Sequence, residues 1–416
     1  MTNDGPRIAA ATAGAPPASE HPLSLTGWRG RRGDAVALLV LAVALLILPL
    51  VASGTTVNVS VYALIYGLTA IGLTLLMGLA GQVSLGHAGF FAIGAYTQAI
   101  LTTRFDVASL PASIVAVAVT MVAGVLVGLP LLRLRGHYLA LATLGFGIIV
   151  SVVATEWRFT GATSGIFGIS KPSFGGRTYD TASEYFWLLA PVVLVGVLIA
   201  RNIVQSRVGR ALGAVNDSEV AAESLGVNTY RLRLQVLVVS AAYAAVAGAA
   251  FAHWLAVVNP NAANFPLSVK FLLISVLGGL GSVYGGVVGA FAVEGLDEVL
   301  GRLIPQLIPG ATGEVELIGF GLVLTALVIF LPGGIYQAWR WVLNRVSQRS
   351  AAPGVEAPAD QPAEVLPLPS GGGDSPLLAR EGRPEPGTLL LEASGLTRRF
   401  GGVVAVDDVD LTVGMG

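Results

Sequence analysis

The side chains able to do chemistry are few and scattered. The chain has 4 histidines and no cysteine, so it holds no thiol nucleophile, no disulfide framework and no cysteine metal site, and the redox compartment is not readable. His21, His87, His137 and His253 show no ligand spacing. A membrane-embedded enzyme would need His, Asp or Glu clustered at acid–base or ligand spacing, and that pattern is missing. The only lysines are Lys171 and Lys270. Within the long apolar stretches two groups of polar and glycine residues stand out: Gly81, Gln82, Ser84 and His87, and then Thr143 with Gly145 and Gly147. Polar groups in hydrocarbon are costly and face protein or a cavity, so these residues are expected to line a path for a small solute. For His87 a hydrogen-bonded packing role comes first, because the sequence gives it no carboxylate neighbour. Glu294, Asp297 and Glu298 fall late in an apolar stretch and read as a helix-end surface rather than a proton relay.

A second glycine-rich segment extends the first. Gly78-Leu-Ala-Gly-Gln-Val-Ser-Leu-Gly-His-Ala-Gly89 has a counterpart in Gly278-Gly-Leu-Gly-Ser-Val-Tyr-Gly-Gly-Val-Val-Gly289, with four glycines, a valine and a later phenylalanine (Phe91, Phe291) at the same spacing. Gly281 and Ser282 thus occupy the places of Gly81 and Gln82. Small residues let membrane helices approach closely, which explains such segments as packing alone. Paired glycine-interrupted helices also mark translocation paths, because broken helices expose backbone only where it lines a cavity.

The third feature is polar. Between two apolar stretches lies Asp217-Ser-Glu-Val-Ala-Ala-Glu-Ser-Leu-Gly226. Asp217 can cap a short helix and Gly226 can stop it. Ala221, Ala222 and Leu225 are expected to form a small apolar face for a groove on another protein, with Glu219 and Glu223 beside it.

These features must be carried by membrane-spanning helices. Hydrophobic residues make up 54% of the chain and charged residues 12%, against roughly 25% charged in soluble domains. Apolar stretches occupy about residues 35–52, 59–79, 83–103, 111–132, 138–155, 186–200, 234–258, 267–277, 283–300 and 315–331. About 20 residues span ~30 Å of hydrocarbon, so 267–277 is short and is expected to be broken or re-entrant. The expectation is an all-α polytopic membrane protein with about ten transmembrane helices; eight plus re-entrant segments is the alternative. With both termini in the cytoplasm, Arg133, Arg135, Arg201, Arg207, Arg210, Arg231, Arg233, Arg340, Arg345 and Arg349 fall inside, as short cytoplasmic loops require. Residues 1–34 read as a disordered cytoplasmic tail, 35–341 as the membrane domain and 342–387 as a flexible Pro-, Ala- and Gly-rich linker. Residues 388–416 begin a new soluble domain with short β-like runs at 389–393 and 403–406. A net charge of −1 gives no case for nucleic acid.

The polar segment resembles the coupling loop of ABC importer permeases, whose pattern is Glu-Ala-Ala, three residues, then Gly. Ala221, Ala222 and Gly226 match, whereas Val220 stands where the glutamate is expected. Together with Gly78–Tyr96, Arg133–Gly147 and Leu277–Ser282, it is similar to the branched-chain amino-acid permease family over about residues 35–341. The segments Leu389–Gly402 and Ala405–Leu411 resemble the opening strands of the ATPase of the same importers, so that 388–416 would be a truncated α/β ABC ATPase fragment. The resemblance implies an adenine-stacking role for Phe400 in a completed domain. No Gly-x-x-x-x-Gly-Lys-Ser/Thr occurs in the chain, so the phosphate cradle is lacking and this chain alone is not expected to hydrolyse ATP or bind a cofactor of its own. The resemblance further implies a bacterial inner-membrane permease subunit importing branched-chain amino acids, or amides or urea as relatives do. Its partners would be a second homologous permease, ATPase subunits that supply ATP and an external solute-binding protein, within membrane lipid. An ion- or proton-coupled secondary carrier, with buried carboxylates in its spans, is the competing class.

Overall fold

The computed structural model describes residues 31–52, 54–134, 136–174, 177–307, 313–330, 333–335, 389–400 and 403–414. Residues 1–30 of the tail expected over 1–34 and the expected linker 342–387 lie outside the described residues, while 31–34 are the start of the first helix. The chain divides into two compact units, 1–350 and 351–416.

The first unit is helical. Its helices are α1 (Arg31–Val51), α2 (Gly54–Thr74), α3 (His87–Arg104), α4 (Ser109–Leu131), α5 (His137–Glu156), α6 (Ala182–Gln205), α7 (Arg207–Asp217), α8 (Glu219–Ser224), α9 (Thr229–Leu255), α10 (Phe265–Gly278), α11 (Val283–Leu307) and α12 (Gly313–Phe330). Among the described residues, five helices are long and apolar enough to cross a membrane: α2 with the turn that extends it, α4, α5, α6 and α9. The α10–α11 pair, bent by 117°, makes a sixth if taken as one span. Fourteen residues in α10 rise about 21 Å at 1.5 Å each, short of the ~30 Å of hydrocarbon, so the expected broken segment is present.

Small residues decide the packing. Helix α2 sits at the centre against α6, α9, α10 and α11, while α3 packs on α4, α5 and α9. A Cβ on Gly72 would lie 2.8 Å from Tyr243 Cβ and 2.9 Å from the Ser240 carbonyl, and one on Gly94 would lie 2.6 Å from Ala245 Cα. Backbones therefore touch where no side chain intervenes, the arrangement that gains dispersion contact in lipid. Tyr243 donates to the Gly196 carbonyl at 2.5 Å and Tyr185 to the Ala250 carbonyl at 2.6 Å, tying α9 to α6 twice. Helices α4 and α5 are the opposite case: they expose apolar side chains such as Ile114, Leu126, Leu141 and Ile149.

The two ends of the unit differ. One carries α7, α8 and the start of α9, where Tyr230 donates to the Leu129 carbonyl at the end of α4. At the other, β1 (Ile166–Phe167) pairs antiparallel with β4 (Val257–Val258), and β2 (Ser173–Phe174) pairs with β3 (Arg177–Thr178). His253 pins this second end. Its Nδ1 lies 2.7 Å from the Ser170 carbonyl, so Nδ1 must carry the proton, leaving Nε2 to accept from Gln98 Nε2 at 2.6 Å.

One expected helix starts later than its apolar run. Residues 83–103 read as a continuous span, but α3 begins only at His87. Helix α2 passes into a π turn at Leu75–Leu79, and the chain then runs without helix from Gly81 to Gly86. Gly81 takes φ +64°, and any Cβ on Gly86 would collide with the Thr143 carbonyl, so the break is built by glycine at both edges.

The second unit contains β5 (Leu389–Phe400) and β6 (Val403–Gly414), an antiparallel hairpin with Ala393 opposite Leu411 and Phe400 opposite Val403. The two short runs expected from sequence are one long ladder. Leu391, Val409, Leu411 and Val413 remain exposed on it.

Candidate functional site

Three of the sequence-predicted elements meet at the break between α2 and α3. Ser84 Oγ lies 3.2 Å from His87 Nδ1, and Ser240 Oγ of α9 lies 2.8 Å from Nε2. His87 is fully buried and edge-on to Phe90. Thr143 on α5 accepts from the Leu85 amide at 3.0 Å and donates to the Ala140 carbonyl at 2.8 Å, so it satisfies the irregular backbone that membrane depth would otherwise penalise. Ser268 of α10 accepts from the Ala88 amide at 3.1 Å. A Cβ on Gly147 would lie 3.1 Å from Gly86 Cα, whereas Gly145 faces open space.

Gln82 is different from its neighbours. It is buried, yet its Nε2 has no hydrogen-bond partner among the described residues. A buried amide with unspent donors is unusual enough to need a reason. Close by in the chain, a pocket of about 140 Å³ is lined by Leu85, Gly147, Ser151, Asn264, Phe265 and Ser268 among others. Its wall is mostly apolar, and Ile148, Val152 and Phe265 of it are exposed on the outer face.

The second glycine-rich segment joins the first. Gly279 at φ +105° ends α10, Ser282 is buried and donates its amide to the Gly279 carbonyl at 3.2 Å, and Gly281 is open. A Cβ on Gly78, in the π turn, would collide with the Leu280 carbonyl. The two interruptions thus touch backbone to backbone.

The polar segment folds as an elbow of two helices. Here the structure revises the sequence expectation in three ways. The cap of α8 is Ser218, whose Oγ accepts from the Ala221 amide at 3.3 Å; Asp217 ends α7 instead. Ala222 is only 1% exposed, because its side of the single helical turn rests on the chain's own fold, so it is not on the outer face. Glu219 and Glu223 are engaged inward as well: Arg233 Nη1 lies 2.8 Å from Glu219 Oε1, and Thr229 donates to Glu223 Oε1 at 2.7 Å. The outward side carries Val220, 78% exposed, with Ala221 and Leu225, 81% exposed. The helix stop is as expected. Gly226 at φ +80° donates to the Glu223 carbonyl at 2.9 Å and Val227 to the Ala222 carbonyl at 3.1 Å, the paired bonds of a Schellman motif.

Sequence reasoning missed one cluster. Lys270 Nζ lies 2.7 Å from Glu294 Oε1 and 3.1 Å from Asp297 Oδ2, and 5.4 Å from the centroid of the Tyr66 ring. Glu294 is 8% exposed, so it is an interior ion-pair member rather than helix-end surface; Glu298 pairs with Arg302 on the outside. A signal for it exists in the sequence: Glu294 and Asp297 are three apart, hence on one helix face, and Lys270 is the one lysine in an apolar stretch. No group of three or more His, Cys, Asp or Glu able to hold a metal occurs among the described residues.

Comparison with known proteins decides what this helical unit, with its two touching helix breaks and exposed apolar elbow, belongs to. Residues 55–332 match the model of the family described as branched-chain amino acid transport system / permease component. The chain belongs to this permease family. It is 33% identical to the high-affinity branched-chain amino acid transport system permease protein LivM of Escherichia coli, over 73% of this chain and 75% of the relative. It is 32% identical to the LivM of Salmonella typhimurium over the same shares, and 25% identical to the LivH permease of that organism over 65% of this chain and 90% of the relative. The matched region 55–332 of the permease holds both glycine interruptions, the elbow and the Lys270 cluster.

Proposed function

We propose that this permease is the membrane subunit of an ATP-driven importer of branched-chain amino acids or a related small polar solute in a bacterial inner membrane. With the N-terminus in the cytoplasm, six crossings by α1 to α6 put α7 and α8 on the cytoplasmic side, where ATPase subunits dock. A second, homologous permease and an external solute-binding protein complete the assembly. The β5–β6 hairpin, by its likeness to the opening strands of an importer ATPase, would begin a fused ATPase domain with Phe400 near adenine.

The observation that carries this reading is the elbow. Val220 and Leu225 stand free at the tip of a helix whose glutamates are both spent holding it to α9. An apolar tip fixed in place by inward polar contacts is built to enter another protein's groove. Beside the end of α7, Gln82, the Gly81–Gly86 break and the Gly279–Ser282 turn supply unspent donors and non-helical backbone for a zwitterion. The test is co-purification of the ATPase subunits with Leu225→Arg and Val220→Arg permease, and uptake of labelled leucine against competing urea in liposomes holding the full assembly. Loss of ATPase binding with the permease still monodisperse, and leucine uptake resistant to urea, is the expected result. Full ATPase binding in both variants refutes the docking role.

The carrier reading gains one observation: Glu294 is the buried carboxylate such a carrier would want. Its partner Lys270 already neutralises it, and family membership stands against it.

A further inference from the structure

We propose that Asn216 is a positioning residue for transport: it is the joint through which the α7–α8 elbow drives the break between α2 and α3. This rests on the reading of the elbow as the ATPase dock and goes one step further, to how a push there reaches the path.

Three close contacts form the line. Helix α7 leaves α6 at a turn where a Cβ on Gly209 would collide with the Val204 carbonyl, and it buries Leu212 and Val215 against the unit. It therefore moves with its surroundings, not alone. At its far end, Asn216 sets Oδ1 where the Cβ of Gly81 would be. Gly81 follows the π turn and its cap Ala80, with its amide on the Met77 carbonyl and the Gln82 amide on the Leu76 carbonyl, both at 3.2 Å. Within that turn, Gly78 rests on the Leu280 carbonyl, in the bend between α10 and α11. Asn216 thus touches the residue after the π turn and Leu280 touches the turn itself; the Leu280 joint is backbone to backbone with room for hydrogen only, and the Asn216 joint is made by a side-chain tip.

A coupling route requires an element with two arrangements, and the π turn would be that element by passing between π and α geometry. Such turns hold one extra residue within a helix and recur at functional sites. Returning Leu75–Leu79 to α geometry would rotate the downstream chain by about 100°, one residue's share of a helical turn. That motion would carry Gly81, Gln82 and Ser84, the residues placed on the path. Close-packed contacts transmit such a shift where looser ones would absorb it.

The experiment compares uptake with ATP consumed in the reconstituted full assembly. Asn216→Ala removes the contact and leaves Leu212 and Val215 in place. ATPase binding and hydrolysis should stay within twofold of the parent while leucine carried per ATP falls at least tenfold. Asn216→Asp, which keeps an oxygen at the same position, should recover most of the ratio, an outcome that mere loosening of the fold would not give. The chain has no cysteine, so Asn216→Cys gives an independent readout that does not need transport. Its labelling rate by a water-soluble maleimide should differ several-fold between nucleotide-free and nucleotide-trapped assemblies. An unchanged transport-to-ATP ratio in Asn216→Ala, or a labelling rate indifferent to nucleotide, overturns the joint. Leu225→Arg separates the two claims: if it still binds the ATPase, the docking reading itself fails.

Discussion

Replacing Lys270 by Met would remove the cation that neutralises Glu294 while keeping much of the side-chain volume. Glu294 is nearly enclosed, and its Oε1 sits 2.7 Å from Lys270 Nζ, whereas Asp297 has a half-exposed side chain and can turn to water. Breaking a buried pair by removing one partner costs about 3–5 kcal/mol, because the remaining charge has lost its compensation. The lower end applies here, since Lys270 itself is a fifth exposed, so about 3 kcal/mol is expected. For a helical unit of about 300 residues at about 2.1 cal/mol/K each, the unfolding entropy is about 0.6 kcal/mol/K, and the melting midpoint should fall by about 5 °C. The assay is thermal unfolding of the purified permease in nanodiscs, followed by tryptophan fluorescence. Lys270→Met combined with Glu294→Gln should recover most of the loss, since replacing both charges by neutral groups of similar volume is often neutral or stabilising. A single variant melting within 1 °C of the parent, or a double variant no better than the single, would refute the assignment of these residues as a buried pair.

Three other contacts give outcomes of their own. Ala222→Arg should prevent folding rather than docking, because Ala222 is buried against its own chain; size-exclusion profiles should collapse for it and stay normal for Leu225→Arg. Gly72→Ala inserts a methyl 2.8 Å from Tyr243 Cβ and 2.9 Å from the Ser240 carbonyl, and overpacking of that kind costs about 1–3 kcal/mol, read as a lower melting midpoint. His253→Phe leaves the buried Gln98 amide one acceptor short and the Ser170 carbonyl without its donor, at about 1–3 kcal/mol for groups left unpaired; limited proteolysis should then cut faster between residues 158 and 180.

Much of the helical architecture is readable because lipid enforces a simple rule: long runs such as Ser109–Leu131 have no other stable state in hydrocarbon than helix. The glycine pattern likewise points to Gly81 and Gly279, where the chain does leave helical geometry. Facings are another matter. Periodicity over a six-residue helix cannot tell which side is inward, so the pattern groups Ala222 with Leu225 although only the latter is exposed. The start of α3 at His87 is hidden because Val83 and Leu85 are as apolar as the helix after them, and the break rests on Gly81 at φ +64° and on Gly86, where the Thr143 carbonyl of a distant helix leaves no room for a side chain. The Lys270–Glu294 pair spans 24 residues across a bend, a separation at which only the fold brings charges together. The Asn216–Gly81 contact is of the same kind.

The central claim is that ATPase subunits docked on the elbow drive a solute through the unit. It is tested most directly by reconstituting the permease with its partner permease, ATPases and binding protein, and measuring labelled leucine uptake with and without ATP while a protonophore collapses any ion gradient. Uptake that needs ATP, survives the protonophore and vanishes in Leu225→Arg is predicted. Uptake that proceeds without ATP and stops with the protonophore would contradict the account and restore the carrier reading.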